Sequence, residues 1–356
     1  MDTFALQMAD AERTLSRREL NRALLARQML LERRSIGIPK ALERMGELQA
    51  QYAPSMYLGL WTRIEGFERG QLTRALKRRT VVQGTLMRST IHLVPKGDYW
   101  PIALSIRRAR RDSWLSYGPR RAYSSKQMAA HARRLAERLG SGTMTRKEIH
   151  QLLGEDSVVT NGVNMWLDLV RVPPSGTWER RRADLYAAAE EWLGPPKASA
   201  EEGVELLIRR YLAAFGPAKV TEIANWAGLP PKKVASALRG LRLRRFRDDN
   251  GNELLDLPRA PLPDPATPAP VRFLPTWDAT LLAHARETGI LPEKHRSKLF
   301  NPKYPQSQNS FLVDGEIAGT WRYERGKVQI QPFGRLDRGA RRALDEEAER
   351  LAELHA

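Results

Sequence analysis

The segment Val220 to Leu241 limits the possible folds of this chain more than any other. Ala224 is small enough for two helices to touch, Gly228 sits where a tight turn is needed, and Val234 offers an apolar anchor on a second helix. That is helix-turn-helix spacing. Arg239, Arg242, Arg244, Arg245 and Arg247 follow, five arginines within nine residues, interleaved with Leu241, Leu243 and Phe246. A strand with one buried side and one side turned toward phosphate has this pattern. A helix pair followed by a hairpin is winged-helix order, and Arg239, Arg242 and Arg244 become candidate DNA-binding residues.

The same order occurs twice upstream. Ser16-Arg17-Arg18-Glu19 is a capping box and predicts a helix over 17–33, with Leu20, Ala23, Leu24 and Leu31 on one face and Arg27 interrupting that face. A second helix follows Pro39 and should end near 49–52, because Pro54 pushes the residue before it toward an extended backbone. After a short helix ending in Lys77-Arg78-Arg79, the run from Val81 to Val94 reads as strand, turn and strand. A connecting helical stretch covers about 97–139. Thr145 and Glu148 then cap another helix, Asn161 opens a further one through Trp166, Leu167 and Val170, and Pro173-Pro174-Ser175-Gly176 turns the chain before Trp178 and Tyr186. Four units result: 1–139, 140–197, 198–257 and 258–356. The last begins with a linker, since seven prolines in 258–275 leave no room for a helix or central strand. A short helix at 277–286, strands at 310–314, 317–322 and 327–331, and a helix at 338–354 should complete it. The expected fold is mainly α with small β wings (α+β): tandem winged-helix repeats around a C-shaped DNA-binding cleft, then a β-rich element and a closing helix.

Charge supports a polyanionic partner. Lysine and arginine number 59 against 41 acids, a formal +18, and such a surplus adds only self-repulsion to folding. The absence of cysteine excludes a disulfide framework, thiolate metal sites, iron–sulfur chemistry and cysteine nucleophiles, and favours the cytoplasm. No apolar run approaches a membrane span, and Met1-Asp2-Thr3-Phe4-Ala5 lacks the order of a secretion signal. His92, His131, His150, His284, His295 and His355 are scattered without an HExxH motif, and no P-loop, GxGxxG or GxSxG occurs. Neither metal nor cofactor is expected.

Chemistry is best sought in Leu48-Gln49-Ala50-Gln51-Tyr52-Ala53-Pro54. If the chain turns extended at 49, Gln49 and Gln51 point the same way and Ala50 points back, which sets two amides side by side. Polar residues at an ordinary helix end would look the same. Arg88, Thr90 and His92 alternate along one predicted strand and could meet DNA, or His92 could be a satisfied structural histidine. Asp278 suits a cap for a helix from 279, and is otherwise the runner-up carboxylate. Tyr52, Tyr57 and Trp61 could line a pocket for an aromatic adduct or belong to the core. Asp314-Gly315 is a strong hairpin-turn signal.

Four segments in order carry a family resemblance: Leu48-Gln49-Ala50-Gln51, Arg88 to Val94, Phe273 to Leu282, and Phe311 to Trp321. Together they resemble the winged-helix DNA glycosylases of the AlkZ and AlkX type, whose catalytic signature is glutamine, an apolar residue, then glutamine or aspartate. The double-glutamine form is typical of the AlkZ branch. The resemblance implies a monofunctional glycosylase that hydrolyses the N-glycosidic bond of bulky N7-alkylated purines and unhooks interstrand cross-links, in repair or in self-resistance to a genotoxic natural product. It implies catalysis by Gln49 and Gln51; amide chemistry assigns Gln51 to orienting the water and Gln49 to holding water and sugar, a division that the sequence leaves open. The partner is double-stranded DNA and the expected state a monomer. No lysine adjoins the motif to form a Schiff base. The alternative, a winged-helix transcription regulator without catalysis, would need a dimerisation element, and no heptad segment is long enough to supply one.

Overall fold

The computed structural model describes residues 11–282, 288–300 and 307–356. The first five residues, His284 and the far end of the helix expected at 277–286 lie outside that range.

Strand β1 (Thr14–Leu15) leads into helix α1 (Arg17–Arg27). The expected capping box is present, but the helix stops at 27 rather than 33, and Met29 turns left-handed with φ 56°. The first winged helix then runs α2 (Ile38–Met45), β2 (Leu48–Gln49), α3 (Ala53–Trp61), α4 (Arg69–Lys77), β3 (Val81–Thr85) and β4 (Ile91–Pro95). Helix α5 (Lys96–Leu115) connects it to the second: α6 (Ser125–Leu139), β5 (Met144–Thr145), α7 (Arg146–Leu152), α8 (Ser157–Gly162), β6 (Leu169–Arg171) and β7 (Leu185–Ala188). Asp156 rather than Asn161 caps α8; its carboxylate accepts from the backbone amides of Val158 and Val159. After the short α9 (Ala189–Leu193), the third comprises α10 (Ala200–Phe215), α11 (Val220–Ala227), α12 (Pro231–Leu238), β8 (Arg244–Asp248) and β9 (Glu253–Asp256), with Gly228 left-handed at the α11–α12 turn.

One pattern is thus written three times: helix, brief extended segment, two helices, hairpin. In each copy the brief segment pairs antiparallel with the second hairpin strand: β2 with β4, β5 with β7, and Ala218 with Leu255 of β9. Helix α6 shares its core with β5, α7 and α8, through Met128, Leu135, Leu139 and Ile149. It therefore packs with the second copy, on the far side of the boundary expected at 139. The first two hairpins are joined as well. Gln83 and Gly84 of β3 pair with Arg171 and Val170 of β6, making one six-stranded sheet in the order β2-β4-β3-β6-β7-β5.

The remaining chain forms β10 (Arg272–Leu274), α13 (Ala279–Leu282), α14 (Arg296–Leu299), β11 (Ser310–Val313), β12 (Glu316–Glu324), β13 (Lys327–Pro332) and α15 (Arg338–His355). Strand β10 lies inside the stretch expected to be pure linker. It is an edge strand paired only with β11, where the neighbouring prolines cost no ladder hydrogen bond. The four-stranded sheet and α15 share a core with the first winged helix, where Phe273, Phe311 and Trp321 meet Tyr57 and Trp61.

Buried arginines tie these parts together. Arg27, read from the sequence as a flaw in an apolar face, is fully buried and gripped by both carboxylate oxygens of Asp256 at 2.8 Å. Arg22 reaches Asp314, and Arg18, Arg22 and Arg27 donate to the carbonyls of Pro265, Thr267 and Pro261. The proline-rich segment is strapped to α1 instead of swinging as a spacer. Arg107 and Arg110 of the basic run in α5 hold Asp168, and Arg110 and Arg111 donate to the carbonyls of Thr85 and Met165.

Asp278 is buried at 1 % exposure and receives two 2.9 Å hydrogen bonds from Arg63 while its Oδ1 caps α13 through Thr280. Replacing Asp278 by alanine strands a buried guanidinium and should lower unfolding free energy by about 3 to 5 kcal/mol in denaturant titration. The double change Arg63→Met with Asp278→Leu should cost less than the single one. His92 yields a second expectation. It occupies the middle strand β4 at 3 % exposure, and its proton affinity is pushed down to about 3, by burial above all and then by Arg88. The unfolded chain takes up this proton near pH 6.5 and the folded chain only near pH 3, so stability is complete above that window and falls as pH drops through it. Between pH 7 and pH 5 the loss from His92 should be about 2 kcal/mol, and His92→Gln should remove that slope.

Candidate active site

The glutamine pair sits on the shortest kind of strand, and both ends of that strand are locked. Gly46 closes α2 with φ 64°, where any Cβ would come within 2.9 Å of the Ala214 side chain, and Glu47 follows at φ 79°. Two left-handed residues reverse the chain into β2. Leu48 pairs with Leu93 and Gln49 with His92, and the amide of Ala50 donates to Ile91 O at 2.7 Å. Tyr52 is extended, φ −129° and ψ 117°, directly before α3 with Pro54 in its first turn. The strand proper covers Leu48 and Gln49, and the chain bends at Gln51 and Tyr52 before α3 begins. Ala50 faces the core at 1 % exposure, whereas Gln49 and Gln51 share a side, with Gln49 Nε2 donating to Gln51 Oε1.

Gln49 is buried at 6 % exposure, and Gln51 is exposed. That contrast sets their capacities. One amide is held by its surroundings and in turn orients the other, which faces solvent. By hydrogen-bond inventory, Gln49 Oε1 and the second lone pair of Gln51 Oε1 remain able to accept. Behind the motif, Glu47 is buried with neither carboxylate oxygen hydrogen-bonded, and burial, followed by the nearby Asp98, pushes its carboxyl well above the usual range.

Gln51 lines a cleft of about 370 Å³ that spans the junction of the first two winged helices. One wall is the β3–β4 end, with Thr85, Ser89 and Thr90; the other comes from the second copy, with Arg146, Asn164 and Arg171. Arg110 and Asp168 fasten α5 between these walls. None of the second copy's three residues was singled out from the sequence. A signal existed for one of them, because Arg171 is a lone charge within the apolar run Leu169-Val170-Arg171-Val172.

The other expected site residues divide. Thr90 lines the cleft. Arg88 does not alternate with it along a strand, for Arg88 and Ser89 form the hairpin turn with φ of 52° and 59°. The Arg88 guanidinium donates to Trp226 O, and its backbone lies over Gly228, where a Cβ would come within 3.1 Å. This arginine locks the first hairpin to the third helix-turn-helix. His92 is too buried to touch DNA: its Nδ1–H donates to Thr90 O at 3.0 Å, and it stands neutral beside Gln49. Tyr57 and Trp61 are core residues, at 0 % and 8 % exposure, and neither lines this cleft; Tyr52 is exposed, with Arg181 Nη1 at 3.5 Å from its hydroxyl. Asp278 is the structural partner of Arg63 and lies outside the cleft. Arg239 and Arg242 are exposed on the third copy, whereas Arg244 is paired with Glu12 at 2.8 Å.

Residues 42–354 match the family model described as DNA glycosylase AlkZ-like. A curated relative named interstrand DNA cross-link repair glycosylase, from Streptomyces sahachiroi, is 22% identical, over 92% of this chain and 93% of its own length. The solved structure of Streptomyces sahachiroi DNA glycosylase AlkZ superimposes with a TM-score of 0.80 at 19% identity, covering 96% of this chain and 97% of that one. With the family model spanning nearly the whole described molecule, the chain belongs to the AlkZ-like DNA glycosylase family.

Proposed function

We propose that this enzyme is a monofunctional glycosylase that hydrolyses the N-glycosidic bond of bulky N7-alkylated purines in double-stranded DNA, including those joined in interstrand cross-links. The observation that carries the reading is the coupled Gln49–Gln51 pair, whose Gln51 lines a cleft, inside a chain of the AlkZ-like family. The named activity of the Streptomyces relative, cross-link repair, supports the substrate class.

Alkylation at N7 makes the base cationic. When the bond from C1′ to N9 breaks, its electron pair neutralises that charge and the base leaves without needing a proton. The sugar is left as an oxocarbenium-like cation, and water adds to C1′. Amides suit this sequence. Their carbonyl oxygens offer negative partial charge to the cation and fix the water by hydrogen bonds, while the proton released on addition passes to solvent. Gln51 orients the water, and the buried Gln49 holds Gln51 and the sugar side of the site. No lysine lines the cleft among the described residues, so the chemistry ends at the abasic site.

Arg239 and Arg242, exposed and without ion pairs among the described residues, make phosphate contacts in this reading. The enzyme acts as a monomer in the cytoplasm. No helix among the described residues is long and apolar enough to cross a membrane.

The test incubates the protein with duplex DNA carrying N7-methylguanine or a nitrogen-mustard cross-link, then reveals abasic sites with hot alkali. Gln49→Ala and Gln51→Ala should each slow release by about 100-fold or more while leaving DNA binding intact. A binding protein without catalysis would yield no abasic sites from either substrate. Gln51→Asp should quicken release of simple N7-methylguanine, since a carboxylate is the better base and charge stabiliser; an unchanged or slower rate would refute that role for position 51.

A further inference from the structure

The fold buries several guanidinium groups, and most have carboxylates. Arg22 has Asp314, Arg27 has Asp256, Arg63 has Asp278 and Arg110 has Asp168. Arg272, at 9 % exposure, has no ion pair among the described residues and sits beside the Arg33–Glu347 pair, with Arg33 opposing its charge, but it does not line the cleft. Arg171 also lacks a paired carboxylate, and it does line the cleft. It is 7 % exposed, its Nη1 donates to Thr85 Oγ1 at 3.1 Å, its Nε finds no acceptor, and no carboxylate pairs with it among the described residues. Its polar surroundings are tyrosines, Tyr186 and Tyr99, with the Tyr186 ring 5.2 Å from the guanidinium carbon. Asp184, the acid that shares its cleft, is taken by Arg182 at 3.1 Å and Arg180 at 3.5 Å.

Burying an unpaired cation is costly, and a fold retains such a group where a ligand completes it. The missing partner must be an anion that reaches the cleft Gln51 lines. An N7-alkylated purine is a cation and would be repelled there. We infer that Arg171 is the anchor for a DNA backbone phosphate next to the lesion, and that this contact pins the strand so that the reacting sugar faces Gln49 and Gln51. The inference rests on the glycosylase reading only for what lies beside the phosphate. Arg171 is thus a positioning residue. Thr85 fixes its fork from the first winged helix, and Asn164 Nδ2 donates to the same hydroxyl at 3.1 Å, so both walls of the cleft hold it.

The experiment uses a duplex with one N7-methylguanine and a methylphosphonate placed in turn at each phosphate flanking it. Binding is read by fluorescence anisotropy, which reports whether or not the base leaves. One methylphosphonate position should weaken wild-type binding about tenfold. R171Q should lose about as much on the natural backbone, show no further loss at that position, and bind with a log–log salt slope smaller by about 0.9. R171M should bind as weakly yet melt at a higher temperature than wild type, because an unpaired charge has left the interior; a lower melting temperature would mark a purely structural arginine and count against the anchor. The anchor is overturned if no position weakens wild-type binding, or if every penalty persists undiminished in both variants. Should neither variant fold, R171K decides: a point charge without the fork should keep part of the sensitivity at that one position, and full sensitivity spread over all positions refutes the assignment. Wild-type protein that shows the sensitive phosphate but excises nothing would sink the glycosylase reading and leave the anchor standing.

Discussion

Helix α1 organises this protein through charge more than through apolar contact. Its buried Arg27 clamps Asp256 at the end of the third hairpin, and Arg22 holds Asp314 in the β11–β12 turn. From the next turn, Gln28 donates to the carbonyls of Met45 and Ala214, which end α2 and α10. The approach is close enough that Gly315 has no room for a side chain, since a Cβ there would lie 2.6 Å from Arg22 Nη1 and Asn21 Oδ1. Such clamps are worth little over a well-packed apolar equivalent, but a broken one leaves a buried charge exposed to nothing. Their contribution is to make one docking of the third winged helix and the C-terminal sheet far better than any slipped one.

Much of this was legible beforehand because it is local. Capping boxes at Ser16 and Thr145, the turn glycine Gly228, the β-rich run after Val81 and the Asp314-Gly315 turn each involve a few neighbouring residues, and each appears where expected. What escaped depends on residues far apart in the chain. Arg27 resembles a flaw in its helix until Asp256 is beside it. Two-residue strands such as β2 and β5 carry no periodicity at all, and β10 hides among prolines because an edge strand tolerates them. The basic run of α5 gives no local sign of its partner either, and Arg107 and Arg110 spend their charge on Asp168.

The site divides along the same line. The side-by-side amides were readable within seven residues, although the strand ends at Gln49 and the chain already bends at Gln51. The cleft did not follow, because half of it comes from the second winged helix, more than 90 residues away, through Arg146, Asn164 and Arg171. His92 takes the structural one of its two readings, because alternation along β4 shows which residues share a face, not whether that face is covered. Arg88 failed at the turn, where two left-handed residues break the alternation.

The fusion of the first two hairpins has a kinetic meaning. A wing in an ordinary winged helix is free to lie along a groove, whereas here β3 and β6 have spent their outer hydrogen bonds on each other. Gln49 and Arg171 thereby belong to one continuous sheet. A protein moving along a duplex carries such a site fully assembled, so each encounter with damage is a test of fit and demands no folding step.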